Sequence, residues 1–189
     1  MRTLPGQLPS DQIAGLLAPY EEFEAFVADL TTIRVVTDLV ELSQEGHAVC
    51  AFNYINTMGS GGGLLHGESG QRVLTAELRG GPRPPLFVRR RRPSATLRHM
   101  FGRKVRVEGS AEFTKAFFVA SADAEGARVA LPPDLMVHLG RTRPEVDIEV
   151  RGNRLVAWRR GTVAGDEQLR FIEETAPIVP LFTRSDYRS

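Results

Sequence analysis

The chain is short of cysteine and lysine, and each shortage narrows what it can be. Cys50 is the single cysteine among 189 residues, so an internal disulfide and a cysteine-built zinc site are both excluded. A chain of this length buries roughly two-thirds of its unfolded surface and needs no such staple. The single thiol points to a reducing compartment. Lysine occurs only at Lys104 and Lys115, and arginine supplies the rest of the 24 basic residues. With frequent alanine and glycine, that bias suggests a GC-rich bacterial genome. No run of about 18 apolar residues is present, so no helical membrane span is expected. The opening MRTLPGQLPSDQ lacks the apolar centre of a signal peptide. A cytoplasmic protein is the expectation.

Acidic residues are missing from one long stretch. Between Leu78 and Val107 there are ten basic residues and no acidic one, although the whole chain carries only +1. Such asymmetry marks either an anion-binding face or two parts that pair on folding. Within it, Arg89, Arg90, Arg91, Arg92, Arg103 and Lys104 are the candidate anion- or partner-binding residues. On a strand, four consecutive arginines point alternately to both faces, so some must lie at a sheet end or edge.

What is present reads as one α+β domain. Ile13 to Leu30 repeats apolar residues at helical spacing behind Ser10, a good N-cap, with a kink or restart expected at Pro19. Residues 1–30 therefore form an amphipathic helical segment, 31–183 the α+β domain and 184–189 a frayed tail. Thr32–Leu42 and His47–Asn56 alternate as strands and make a hairpin. Arg72–Leu78, Leu86–Val88, Lys104–Glu108 and Phe117–Ser121 are further strands. Val146, Ile148 and Val150 alternate with Asp147 and Glu149 as a half-buried strand, and Gly152-Asn153 turns it back through Arg154–Arg159. Asp123 is placed to cap a short helix over Ala124–Leu131. Pro133 starts another that ends at Gly140, and a last helix follows Gly165-Asp166 until Pro177 and Pro180 interrupt it. The expected fold is a largely antiparallel sheet of about seven strands, with two small sheets or a partly open barrel as alternatives.

Catalytic signals are weak. The four histidines, His47, His66, His99 and His138, have no metal-binding spacing. Cys50 sits in a strand pattern and reads as a small core residue. Trp158 reads as a core anchor, with an interface role as the alternative. The Gly-rich stretch Met58–Gly70 lacks both the Gly-Lys-Ser/Thr ending and G-x-G-x-x-G. It is read as a hairpin loop. No cofactor is expected, and the reading leans away from an enzyme.

The middle and C-terminal parts, roughly Thr32 to Phe182, resemble a bacterial family of uncharacterised proteins, a domain of unknown function. The resemblance rests on Phe52-Asn53-Tyr54, on Pro85-Leu86-Phe87 with basic residues behind it, and on Phe113, Phe117, Val119, Ser121 and Asp123. Ala127-Arg128 and Leu131-Pro132 complete it. It implies the fold and supplies no activity, cofactor or catalytic residue. Members of that kind often carry transmembrane helices ahead of the domain, where this chain has only the Ile13–Leu30 segment. Function is then expected to be a non-catalytic binding or assembly module that uses the basic face or the N-terminal helix. The partner would be an acidic protein or a second copy of the chain. Nucleic acid ranks lower, because Phe87 and Phe101 are the only aromatics near the arginines. Two alternatives stay open: a small-molecule site or enzyme built around Ser60, His66 and Glu68, and peripheral attachment to anionic membranes through Arg89–Arg92.

Overall fold

The structure, a computed structural model, describes residues 1–26, 32–58, 68–91, 103–108, 110–161 and 166–183. Its strands are β1 (Arg2–Gln7), β2 (Thr32–Gln44), β3 (His47–Met58), β4 (Glu68–Glu77), β5 (Arg83–Arg90), β6 (Arg103–Val105), β7 (Phe117–Ser121), β8 (Asp147–Gly152) and β9 (Arg154–Arg160). All pair antiparallel in one nine-stranded sheet of order β1-β2-β3-β4-β9-β8-β5-β7-β6. The hairpin of β8 and β9 is therefore inserted between β4 and β5. The helices are α1 (Ser10–Leu17), α2 (Ala111–Ala116), α3 (Ala124–Ala130), α4 (Pro133–Thr142), α5 (Asp166–Thr175) and α6 (Ile178–Thr183), with 3-10 turns at Ala18–Tyr20 and Glu24–Phe26. Together they form a single α+β domain.

The nine strands exceed the expected seven or so. The element hidden in the sequence is β1, where Pro5 and Gly6 mask a strand. At a sheet edge a missing N–H is tolerated, and the pairing with β2 shifts register between Leu4 and Gln7. The long N-terminal helix is also shorter than expected. It starts at Ser10 with Pro9 in the N-cap position and no side-chain cap, and it gives way at Pro19 to the first 3-10 turn. Residues 27–30 of that expected helix lie outside the described residues.

Both faces of the central strands are covered, because side chains alternate across a sheet. On one face Val49, Ala51, Leu74, Ile148, Val150, Leu155 and Ala157 pack with the helices α2 to α6. On the other, Phe52, Tyr54, Val73, Val156 and Trp158 pack with Ile13 and Leu17 of α1 and with Phe23 and Phe26. The apolar stripe of α1 is thus spent on its own sheet. Trp158 is a core residue, as expected.

The segment from Phe113 to Met136 sets the helical layer. Phe113, on α2, stacks on Phe117, the first residue of β7, with ring centroids 5.6 Å apart. Asp123 caps α3 by accepting a hydrogen bond from the Gly126 N–H at 2.9 Å. Gly126 is unfavourable on helix propensity, yet a Cβ there would collide with that same carboxylate. Two boundaries differ from expectation. The helix begun at Pro133 runs through Gly140 to Thr142 and closes on Arg143 in the left-handed region, φ 49°. Pro180 lies inside a resumed helix, α6, and does not interrupt one.

Gly140 serves packing and not helix termination. A Cβ there would lie 2.8 Å from the Phe113 backbone nitrogen, so only glycine lets α4 and α2 approach this closely. Gly140→Ala should destabilise the chain by about 1–3 kcal/mol despite alanine's better helix propensity. Urea unfolding checks this; a stabilised variant would contradict the contact. Phe117→Ala should cost about 3–5 kcal/mol for the cavity it leaves, read as a lower midpoint in the same experiment.

Candidate functional site

The expected basic face does not form as one surface, because β5 obeys strand alternation. Arg89 lies toward the N-terminal segment, where it pairs with the Glu24 carboxylate. Its guanidinium also lies against the rings of Phe87 and Trp158, at 5.7 and 6.0 Å from their centroids. Arg90 points to the opposite face. It donates to the Arg143 carbonyl at 2.9 Å and sits 5.5 Å from the Phe117 ring centroid. Arg91 leaves the strand and its Nε donates to the carbonyls of Thr114 and Phe117 at 2.9 and 3.0 Å. Arg103 contributes its backbone to β6, its side chain lying outside the described residues, as does Arg92. Lys104 is exposed on β6, the last strand of the sheet.

Farther back in the basic stretch, Arg83 is buried. It donates to the carbonyls of Phe182 and Arg79, both at 3.1 Å, and so ties α6 to the sheet. Guanidinium groups that bond carbonyls satisfy their donors but keep their charge, since a carbonyl carries none to cancel it.

Part of the block does converge. Where β6 and β7 diverge, the chain leaves an open cavity of about 670 Å³ rimmed by Arg91, Lys104 and Arg106. Its apolar walls are Val105, Val107, Phe113, Phe117, Phe118 and Val119, and Glu108 is the one carboxylate among the described residues that line it. Two adjacent features place the cations. β6 pairs with β7 only from Arg103 to Val105. Ser110 then caps α2 through the Phe113 N–H at 3.1 Å, and Phe113 and Thr114 of that helix line the cavity. Neither Lys104 nor Arg106 makes an ion pair with a described residue. Arg106 belongs to the basic stretch but not to the candidates singled out in sequence. Its signal was the i, i+2 spacing from Lys104, which puts both cations on one side of an extended segment.

Sequence reading also misplaced Glu149. The alternation with Val146, Ile148 and Val150 puts it, with Asp147, on a solvated face. Instead Asp147 is 7 % and Glu149 0 % exposed. The N-terminal segment covers that face and supplies partners. The Glu149 carboxylate accepts the Glu24 backbone N–H at 2.8 Å and a hydrogen bond from Arg151 Nε. Arg151 in turn lies over the rings of Phe23 and Phe87. Burial pushes the Glu149 carboxyl up to about 7, against the hydrogen bond and charge of Arg151 and the charge of Arg89. The basic cavity does not include Glu149, and its role is to close the fold.

Other chemistry is sparse. Burial and the Glu41 charge push the Cys50 thiol up, away from the thiolate a nucleophile requires. Among the described residues no three His, Cys, Asp or Glu side chains are grouped to hold a metal ion. Ser60, His66 and the side chain of Glu68, the expected surroundings of a small-molecule site, lie outside the described residues. No described helix is long and apolar enough to cross a membrane. Comparisons with protein-family models, curated proteins and solved structures find no match to this chain.

Glu149 generates a pH prediction. Its proton is held more tightly in the folded chain than at the ordinary value of 4.5. Its contribution to stability is therefore complete below about pH 4.5 and is lost as pH rises through about 7. The loss should amount to about 3 kcal/mol. Urea unfolding at about pH 4 and about pH 8.5 should show that much more loss in the wild type than in Glu149→Gln, whose side chain stays neutral. Equal pH dependence in the two proteins would mean that Glu149 does not titrate in this window.

Proposed function

We propose that the chain is a non-catalytic binding module that takes an acidic protein partner at the groove rimmed by Arg91, Lys104 and Arg106. The observation that carries this reading is the meeting of three cations and one carboxylate of the described residues around an open cavity, two of the cations making no ion pair with a described residue. Planar guanidinium groups and a flexible ammonium suit carboxylates, and their uncancelled field draws an acidic surface in before contact. The N-terminal helix is not the binding element in this reading, because Ile13 and Leu17 are buried against the sheet. A concave groove with an apolar floor also favours a protuberant peptide segment over a flat membrane surface.

The test is fluorescence anisotropy with a labelled polyglutamate peptide. Binding should weaken steeply between about 50 and about 300 mM salt, as expected for exposed charges. The double variant Lys104→Glu, Arg106→Glu should lose about tenfold or more in affinity. Affinity unchanged in the double variant would remove this groove as the site. Preference for phosphatidylglycerol vesicles over the peptide would replace the partner reading with membrane attachment.

A further inference from the structure

The segment 106–108 also lines a second groove, and the two share Arg106, Val107 and Glu108. This one has a volume of about 480 Å³ and lies against the corner where α3 turns into α4. Its apolar lining is Val107, Val129, Leu131 and Met136 with Pro132 and Pro133. Arg128 stands on its rim and donates from Nε to the Arg106 carbonyl at 3.1 Å, which pins α3 to this segment. Arg128 also pairs with Glu125 at 2.8 Å. Val129 is 56 % exposed, although α3 could have turned any residue outward at that position. A large aliphatic side chain left in water beside an apolar groove forgoes burial that a partner can supply.

Resting on the proposed basic groove, we infer that the partner segment is acidic and apolar at once, its carboxylates meeting Lys104 and Arg106 while aliphatic side chains enter the groove beside Val129. The two grooves differ in what they can bind. Both have apolar walls, but the first is rimmed by Arg91, Lys104 and Arg106, whereas Val107, Val129, Leu131, Met136 and two prolines make up most of the second. A purely polar polyanion fills only the first. A purely apolar peptide has nothing to satisfy the cations, whose desolvation would then oppose binding. A segment that crosses 106–108 and carries both kinds of side chain uses the whole surface. Glu108, between the grooves, repels a carboxylate at the crossing point, so an aliphatic residue belongs there.

The test compares two labelled peptides of equal length and charge, one alternating glutamate with leucine and one alternating glutamate with serine. The leucine peptide should bind about tenfold tighter, the scale of burying one aliphatic side chain. Val129→Ser should abolish that advantage and leave the serine peptide's affinity unchanged. Because Val129 is exposed, the variant should keep its circular dichroism spectrum, and a changed spectrum directs the same comparison to Val129→Thr. The Lys104→Glu, Arg106→Glu variant should weaken both peptides. Equal binding of the two peptides by the wild type would overturn the apolar half of the surface while leaving the basic groove standing. Binding of neither would overturn both. Sedimentation provides the remaining outcome: a dimer that Val129→Ser dissociates, with no leucine advantage, would show that a second copy of the chain covers this groove and would overturn the inference.

Discussion

A carboxylate shut away from water has to be answered from within the fold, and Glu149 is answered by segments far apart in sequence. Arg151 is its neighbour two residues along the same strand. The Glu24 N–H reaches it across 125 positions of sequence, and Arg89, which pairs with Glu24, stands beside it. Desolvation of such a group is expensive, and the partners offset it only while all of them are in place. The cluster therefore makes one condition of three: the N-terminal turn seated on the sheet, β5 beside β8, and the start of the hairpin in register. Phe23 and Phe87 enclose Arg151, so the apolar and ionic parts of this contact are the same contact.

The described arginines of the basic stretch do not lie on one plane, for Arg89 and Arg90 point to opposite faces of the sheet. Arg89 meets a carboxylate. Arg79, Arg83, Arg90 and Arg91 donate to backbone carbonyls. Hydrogen-bond satisfaction and charge neutralisation are separate requirements, since a carbonyl carries no charge to cancel a guanidinium's. Lys104 and Arg106, at the last strand of the sheet, make no ion pair with a described residue. Charge on a short edge strand also discourages indiscriminate strand addition.

Local rules carried most of the fold. The β2–β3 and β8–β9 hairpins, the Asp123 cap, Pro133 at a helix start and the aromatic pair Phe113–Phe117 follow from alternation, turn residues and capping chemistry. What the sequence could not display were contacts between distant parts. Pro5 argues against a strand unless the strand is known to be an edge. Gly140 looks like a helix stop until α2 is placed against it. Glu149 looks solvated until the N-terminal turn covers its face. The cation site was legible as composition but not as geometry. The arginine run marked a region, while the trio that lines the groove, Arg91, Lys104 and Arg106, comes together where the pairing of β6 with β7 stops at Val105.

The placement of the β8–β9 hairpin bears on the order in which the molecule can be assembled. Strands β4 and β5 are consecutive in the chain yet never touch in the sheet, for β9 and β8 lie between them. A nascent chain emerging from the ribosome can zip β1 to β4 as a meander from local contacts. It must then hold two strand edges open, one on β4 and one on β5, until Arg160 has been made. During that interval the half-built sheet presents the unpaired backbone on which chains aggregate. The long separation in sequence between β4 and its final neighbour also slows closure. The centre of this sheet is thus the last part to form, and the protein's most exposed moment comes late in its own synthesis.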